Sequence, residues 1–241
     1  MQVIGHRGAS ADAPENTMSA FVRALDLGAD GFEFDVQLTS DGRAVVVHDA
    51  MLDRTTTGNG PVFEASFDEV RDLDAGSWFA SEFDGERVPA LNEVLSLPAS
   101  VFELEIKTQG RAVLDAVLEA VDRAGVFERV KFTGWDHALL ARLKAEHPQA
   151  TIGLFAQRPQ PWMNDALFER YILGTAETAG FDVAHVYAGV LTERIAKGLT
   201  ELGYAVHAND AVGRDHITRA MDAGATSISL NDVALAVSIL E

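Results

Sequence analysis

The sequence predicts an α/β protein of the (β/α)8 TIM-barrel class, and three observations predict it. Short apolar strand segments alternate with amphipathic helical segments, the pattern that gives a parallel sheet. The length of 241 residues suits about eight such units closed into one barrel. The Gly-rich fingerprint that would follow the first strand of a doubly wound open sheet, the alternative architecture, is missing.

Strand segments are expected at Val3–His6, Gly31–Thr39, Ala44–His48, Val101–Lys107, Val130–Thr133, Thr151–Ala156, Val183–Tyr187, Tyr204–Ala208 and Thr226–Leu230. Helical spacing joins Val113, Leu114, Val117, Leu118 and Val121, then Leu139, Leu140 and Leu143, then Ile195, Leu199 and Leu202. Gly28, Gly125 and Gly224 each follow a helical stretch, where a chain turning back to a strand favours glycine. Residues 51–89 break the rhythm. They are rich in Gly, Asp, Thr and Ser and too long for a plain connection, so they read as an insertion folding over one face of the barrel. The expectation is therefore one barrel domain over residues 1–241 with an insertion at about 51–89.

Composition narrows the function classes. Apolar residues make up 47% of the chain, enough for an ordinary packed core, and no cysteine is present, which excludes disulfides, thiolate metal sites and cysteine nucleophiles. The formal net charge of −18 argues against nucleic acid as a partner. The same charge repels anionic ligands at long range, so a phosphate-ester substrate would need local cations. No basic segment followed by an apolar run opens the chain, and no stretch reaches the ~20 apolar residues of a membrane span. A cytoplasmic protein without stable membrane insertion is expected.

Two strand segments carry the chemistry. In Gly31-Phe32-Glu33-Phe34-Asp35-Val36, alternation puts Glu33 and Asp35 on one face and the apolar side chains on the other. Two carboxylates ~4 Å apart at an effective dielectric near 20 repel by about 4 kcal/mol, so a proton or a cation must relieve them. In Phe102-Glu103-Leu104-Glu105-Ile106-Lys107 the pattern returns, with Glu105 and Lys107 at the strand end where barrels of this class place their active sites. Glu33, Asp35 and Glu105 converging would make an all-oxygen site suited to one hard divalent cation, Mg²⁺ or Ca²⁺, with structural ion pairs as the other reading. His6 and His48 also fall at strand ends, each beside a charged residue, and could serve as an acid–base pair. His137, His147 and His216 read as structural or solvated, whereas His185 and His207, on late strands, could line the pocket or not. Asn16 or Thr17 is expected to cap a helix bearing Phe21 and Leu25.

In order, His6-Arg7-Gly8, Pro14-Glu15-Asn16-Thr17, Gly31 to Val36, His48-Asp49, Leu52-Asp53-Arg54-Thr55-Thr56 and Leu104-Glu105-Ile106-Lys107 resemble the glycerophosphodiester phosphodiesterase family. Ala75 to Phe79 through Val88-Pro89-Ala90-Leu91 resembles that family's insertion. The likeness is dense to about residue 107 and looser beyond. It implies a metal-dependent phosphoric diester hydrolase of lipid and glycerol metabolism, acting on small glycerophosphodiesters to release sn-glycerol 3-phosphate and an alcohol. It also implies metal ligands at Glu33, Asp35 and Glu105, catalysis by His6 and His48, and phosphate binding by Arg7 and Lys107. Two segments depart from the family pattern: Val206-His207-Ala208-Asn209-Asp210 and Leu230-Asn231-Asp232-Val233. Neither is expected to touch the metal or acid–base residues; both are expected to shape the wall meeting the alcohol. Trp78, Phe79, Trp135 and Trp162 could join that wall, with burial in the core the expected fate. Rival functions are a phospholipase D-like enzyme on lysophospholipid or sphingomyelin, and a non-catalytic barrel binding a phosphate ligand.

Overall fold

The computed structural model describes residues 1–240. Its strands are β1 (Gln2–His6), β2 (Gly31–Leu38), β3 (Ala44–Val46), β4 (Val101–Ile106), β5 (Val130–Gly134), β6 (Thr151–Phe155), β7 (Val183–Tyr187), β8 (Ala205–Ala211) and β9 (Ser227–Leu230). The helices are α1 (Met18–Asp26), α2 (Phe67–Arg71), α3 (Leu91–Leu95), α4 (Arg111–Ala124), α5 (His137–Glu146), α6 (Asp165–Ala179), α7 (Glu193–Glu201), α8 (Gly213–Ala223) and α9 (Val233–Leu240). Parallel pairing runs β1-β9-β8-β7-β6-β5-β4-β2 and returns from β2 to β1, so eight strands close into a (β/α)8 barrel. The ninth strand, β3, is a short antiparallel addition to β2. No helix among the described residues is long and apolar enough to cross a membrane.

Alternation decides what each strand face does. On β2 and β4 the phenylalanines point outward to the helices: Phe21 of α1 stacks on Phe32 at 4.4 Å, and Phe32 meets Phe102 edge to face at 5.6 Å. Each such fully buried ring contributes about 1.5–3 kcal/mol of transfer free energy. The opposite face of the same strands carries Glu33, Asp35, Gln37, Glu103 and Glu105, all buried. Barrel lumens are ordinarily packed with branched apolar side chains. Here the acids are aimed inward because the period-2 pattern spends the apolar residues on the helix side.

Residues 51–89 hold α2 and two short 3-10 turns, at Val62–Glu64 and Ser81–Phe83. They carry a small core of their own, built from Leu52, Val62, Val70, Ala75 and Val88 against Val45 and Val47. The Asp74 carboxylate organises the turn by accepting from the backbone N–H groups of Gly76, Ser77 and Gly85 at 2.6–2.8 Å. Contacts from this segment reach the β1–α1 side of the mouth: the Ser19 hydroxyl donates to Glu86 at 2.6 Å, and Arg54 bonds Glu15. Trp78 is 41% exposed, Trp135 56% and Trp162 71%, and Phe79 is half-buried. The expectation that these rings belong to the core is therefore corrected. All four lie in loops between elements, away from the periodic faces that the barrel buries.

Candidate active site

The three acids predicted to converge do so. Glu33 and Asp35 of β2 lie beside Glu105 of β4, with Asp35 and Glu105 in register, and one carboxylate oxygen from each lies within 4.8 Å of the others. His6 ends β1 in register with Glu33. Glu33, Glu105 and His6, together with Arg7, His48 and Lys107, line a cleft of about 160 Å³, with Asp35 buried beside them. It opens at the C-terminal ends of the strands, the functional end of this fold.

Three carboxylates face two cations, Arg7 and Lys107. Lys107 Nζ donates to Glu105 Oε1 at 2.9 Å and lies 3.5 Å from Asp35 Oδ1, while Arg7 Nε lies 3.5 Å from Asp35 Oδ2. Asn16 Nδ2 donates to Asp35 Oδ2 at 2.8 Å, and the Arg7 backbone N–H donates to Glu33 Oε2 at 3.0 Å. These contacts do not balance the cluster. Burial, then the charges of Asp35 and Glu105, push the Glu33 carboxyl well above its usual range. Burial and Asp35 push Glu105 up to about 7 against the pull of Lys107. Asp35 Oδ1 is buried with no hydrogen-bond partner. An excess of negative charge, an orphaned carboxylate oxygen and an all-oxygen donor set fit a hard divalent cation. Structural ion pairs, the other reading of the sequence, are also present, with Lys107 on Glu105 and Asp35 and Arg7 on Asp35.

Arg7 and Lys107 both spend contacts on carboxylates in this state. Burial opposes their charge, but Asp35 with Glu15 for Arg7, and Asp35 with Glu105 for Lys107, raise both above their ordinary ranges, so both stay cationic. Arg7 sits at φ 57°, held by a turn in which Gly8 takes φ 86°. A Cβ at Gly8 would lie 2.6 Å from the Ala20 backbone, so only glycine closes this turn. The other non-glycine residues at positive φ are Asn16 and Asp210. Among the described residues, every such backbone outlier thus touches this site. Such a conformation costs about 1–3 kcal/mol at a bulky residue such as Arg7.

The two histidines are anchored alike through Nδ1. Asn231 Oδ1 accepts from His6 Nδ1 at 2.8 Å, and His6 Nε2 lies 3.9 Å from Glu33 and 3.6 Å from Asp210. Burial, then the Arg7 charge, lowers the His6 pKa despite Asn231 and Asp210. His48 Nδ1 lies 2.5 Å from Asp49 Oδ1, and Asp49 is bound by Arg54 at 2.6 Å. Arg54, then His48, hold the Asp49 carboxyl below the usual carboxylate range. The Gln37 amide donates to the carbonyls of Val47, His48 and Asp49 at 3.2, 3.0 and 2.5 Å, tying the His48 loop to β2.

The family model for glycerophosphoryl diester phosphodiesterases matches residues 6–235. The chain belongs to this family. Membership places it among the phosphoric diester hydrolases. A glycerophosphodiester phosphodiesterase of Caldanaerobacter subterraneus subsp. tengcongensis is 41% identical over 179 residues, 71% of this chain and 74% of that protein. Human glycerophosphodiester phosphodiesterase 1 is 41% identical over 98 residues, 40% of this chain and 30% of that one. Two solved structures share the fold. A glycerophosphodiester phosphodiesterase from Agrobacterium tumefaciens has TM-score 0.83 and 24% identity, covering 99% of both chains. A phosphodiesterase from Oleispira antarctica, solved with the product sn-glycerol-3-phosphate, has TM-score 0.83 and 23% identity over 100% of this chain and 96% of that one.

Within this glycerophosphodiesterase frame, one expectation needs correction, that for the late segments. Thr17 caps α1 as expected, accepting from the Ala20 N–H, while the Asn16 side chain grips Asp35. Glu15 beside it bridges Arg7 at 2.7 Å and Arg54 at 2.8 Å; burial would raise its pKa, but those two arginines bring it down to about 2. The divergent late segments, expected to stay clear of the acid–base residues, both reach His6, through Asp210 and Asn231. A register shift between β8 and β9 at Ala208/Ala211 turns Asn209 and Asp210 into the cleft. Trp135, beside Phe155 at 5.2 Å, also lines it. His137 opens α5 and His147 closes it, while His216 Nδ1 accepts from the Val212 N–H, and the residues lining the cleft do not include these three.

Proposed function

We propose that the chain hydrolyses glycerophosphodiesters to sn-glycerol 3-phosphate and an alcohol, with one divalent cation, Mg²⁺ or Ca²⁺, at Glu33, Asp35 and Glu105, and with His6 and His48 carrying protons. The observation that supports it most is the incompletely neutralised three-carboxylate cluster flanked by two imidazoles, each anchored through Nδ1. The activity named for the Caldanaerobacter relative and the product held by the Oleispira structure agree with it.

The bound cation would supply neutralisation of the charge that grows on the phosphoryl oxygens. The Arg7 guanidinium offers a planar fork to two phosphate oxygens and Lys107 a point charge, and together they offset the repulsion from a chain of net charge −18. His6 is kept neutral by burial and bonded to a carbonyl oxygen at Nδ1, so its lone pair is at Nε2, as a general base requires. It takes the proton of the glycerol 2-hydroxyl as that oxygen bonds to phosphorus. The bond to the leaving alcohol breaks, and His48 Nε2 donates the proton that alcohol needs. Asp49 holds the His48 ring in orientation and stabilises the charged imidazole in this exchange. In the second half His48 takes a proton from water, the water oxygen bonds to phosphorus, the cyclic diester opens and His6 returns its proton to the 2-hydroxyl.

The test is release of glycerol 3-phosphate from glycerophosphocholine and glycerophosphoethanolamine, with and without chelator. Turnover lost on chelation and restored by Mg²⁺ or Ca²⁺ is expected. Turnover only of lysophospholipid or sphingomyelin, or phosphate-ligand binding without turnover under every metal, would overturn it.

A further inference from the structure

Beneath the carboxylates the lumen holds a second cluster of different chemistry. Glu103 of β4, His185 of β7 and His207 of β8 are each at most 2% exposed, and one ligand-capable atom from each lies within 4.8 Å of the others. β4 and β8 stand on opposite sides of the barrel, yet His207 Nδ1 comes within 3.2 Å of Glu103 Oε1, so the cluster spans the axis. Lys131 of β5 engages the same oxygen, Oε1, at 3.0 Å, and Ser227 Oγ lies 2.9 Å from His207 Nδ1. That leaves Glu103 Oε2, His185 Nε2 and His207 Nε2 buried without any hydrogen-bond partner. They are three of the seven such side-chain atoms among the described residues, and each belongs to a member of this cluster. Unpartnered polar atoms at this depth are rare in folded proteins and call for an occupant.

The His185 and His207 rings stack at 4.3 Å, and His185 packs so closely on Gly153 of β6 that a Cβ there would lie 2.5 Å from His185 Nε2, so glycine at this position lets the ring sit in the lumen. Glu103 and His185 also line the cleft that holds His6 and Glu105, which gives a path from solvent.

We propose that Glu103, His185 and His207 bind a first-row transition-metal ion of the Zn²⁺ class inside the barrel, at a site separate from the hard-cation site above it. Two imidazole nitrogens and one carboxylate oxygen are the donor set of such an ion, and they suit Mg²⁺ and Ca²⁺ poorly. Lys131 on Glu103 and Ser227 on His207 are the outer partners that fix the orientation of the ligands. The all-oxygen cluster, two residues further along β4 at Glu105, keeps its preference for hard cations, so the two sites are told apart by metal.

The experiment uses the full chain, stripped with chelator and titrated with Co²⁺. The expected result is two ions per chain, one giving the strong visible absorption of a low-coordinate site with nitrogen ligands. His185→Gln is expected to lose that absorption and one ion, whereas Glu33→Gln combined with Glu105→Gln is expected to keep them. An unchanged spectrum and stoichiometry in His185→Gln would overturn the proposal, as would a single ion that disappears with the Glu33→Gln change. A measurement independent of variant folding is an anomalous map at the zinc edge from wild-type crystals soaked in Zn²⁺. A peak among Glu103, His185 and His207 supports the site; an ordered water there without anomalous signal overturns it.

Discussion

Replacing Asp49 by alanine tests how the proton carrier at His48 is built. Asp49 Oδ1 lies 2.5 Å from His48 Nδ1, and Asp49 Oδ2 accepts from Arg54 Nε at 2.6 Å. The substitution removes one charge-assisted hydrogen bond from the imidazole, worth about 1.5–3 kcal/mol. At about 1.36 kcal/mol per tenfold in rate, that is roughly a 10- to 150-fold loss of kcat. The side chain is partly exposed, and the backbone carbonyl that Gln37 binds is kept in the variant, so the fold and cation affinity should stay as they are. The assay is steady-state turnover of glycerophosphocholine, with calorimetry for the cation. Arg54→Ala leaves the Asp49–His48 contact in place and should cost less. In a His48→Ala background the Asp49 change should cost almost nothing further, because the two act as a unit. A kcat within threefold of wild type, or a full additional loss in the His48→Ala background, would refute the reasoning.

Other outcomes follow from the same geometry. His48→Ala should lose about 10²–10⁴ in kcat while keeping fold and metal, and near-normal turnover would remove it from the proton-transfer role. Glu33→Ala should weaken divalent-cation binding, and calorimetry showing unchanged affinity would contradict its place among the ligands. The metal-free protein should lose thermal stability as pH rises from about 4.5 to about 7. Glu105 binds its proton more tightly folded than unfolded, so the folded state holds more protons across that window and stability falls with pH. Melting curves at pH 5 and 8 check the sign, and saturating Ca²⁺ should flatten the difference. On the acid side, Glu15 adds stability above its ordinary range that is lost as pH falls toward about 2, so a Glu15→Gln variant should show a shallower acid transition.

Much of the barrel was legible because its signals are local. The alternation at 31–36 and 102–107 sorts side chains between two faces, so Glu33, Asp35 and Glu105 could be placed together before any strand was paired. His6 stands at the end of β1, where this fold puts its chemistry, whereas His48 lies two residues past the antiparallel β3 and reaches the cleft from a loop. What stayed hidden depends on closure of the barrel. His6 meets Asn231 only because β1 pairs with β9 across 225 residues of chain. Asp210 reaches His6 through a register shift that no periodicity announces. Glu103, His185 and His207 meet across the lumen from three separate strands. Asn16 was obscured by a competing local explanation: next to Thr17 it looks like a helix cap, and only its left-handed backbone turns the amide onto Asp35. The exposed Trp135 misled for the opposite reason, because a large aromatic ring suggests core when its loop position is unknown.

The central claim is that Glu33, Asp35 and Glu105 form one cation site at the mouth of the barrel. The most direct measurement is an anomalous-difference map from crystals grown with Mn²⁺ as a hard-cation probe, alongside a Ca²⁺-soaked crystal refined for coordination. The account expects one peak bonded to oxygens of all three side chains, with Ca²⁺ distances of about 2.3–2.6 Å. A map with no peak there, and with each carboxylate bonded only to Arg7, Lys107 or Asn16, would contradict it.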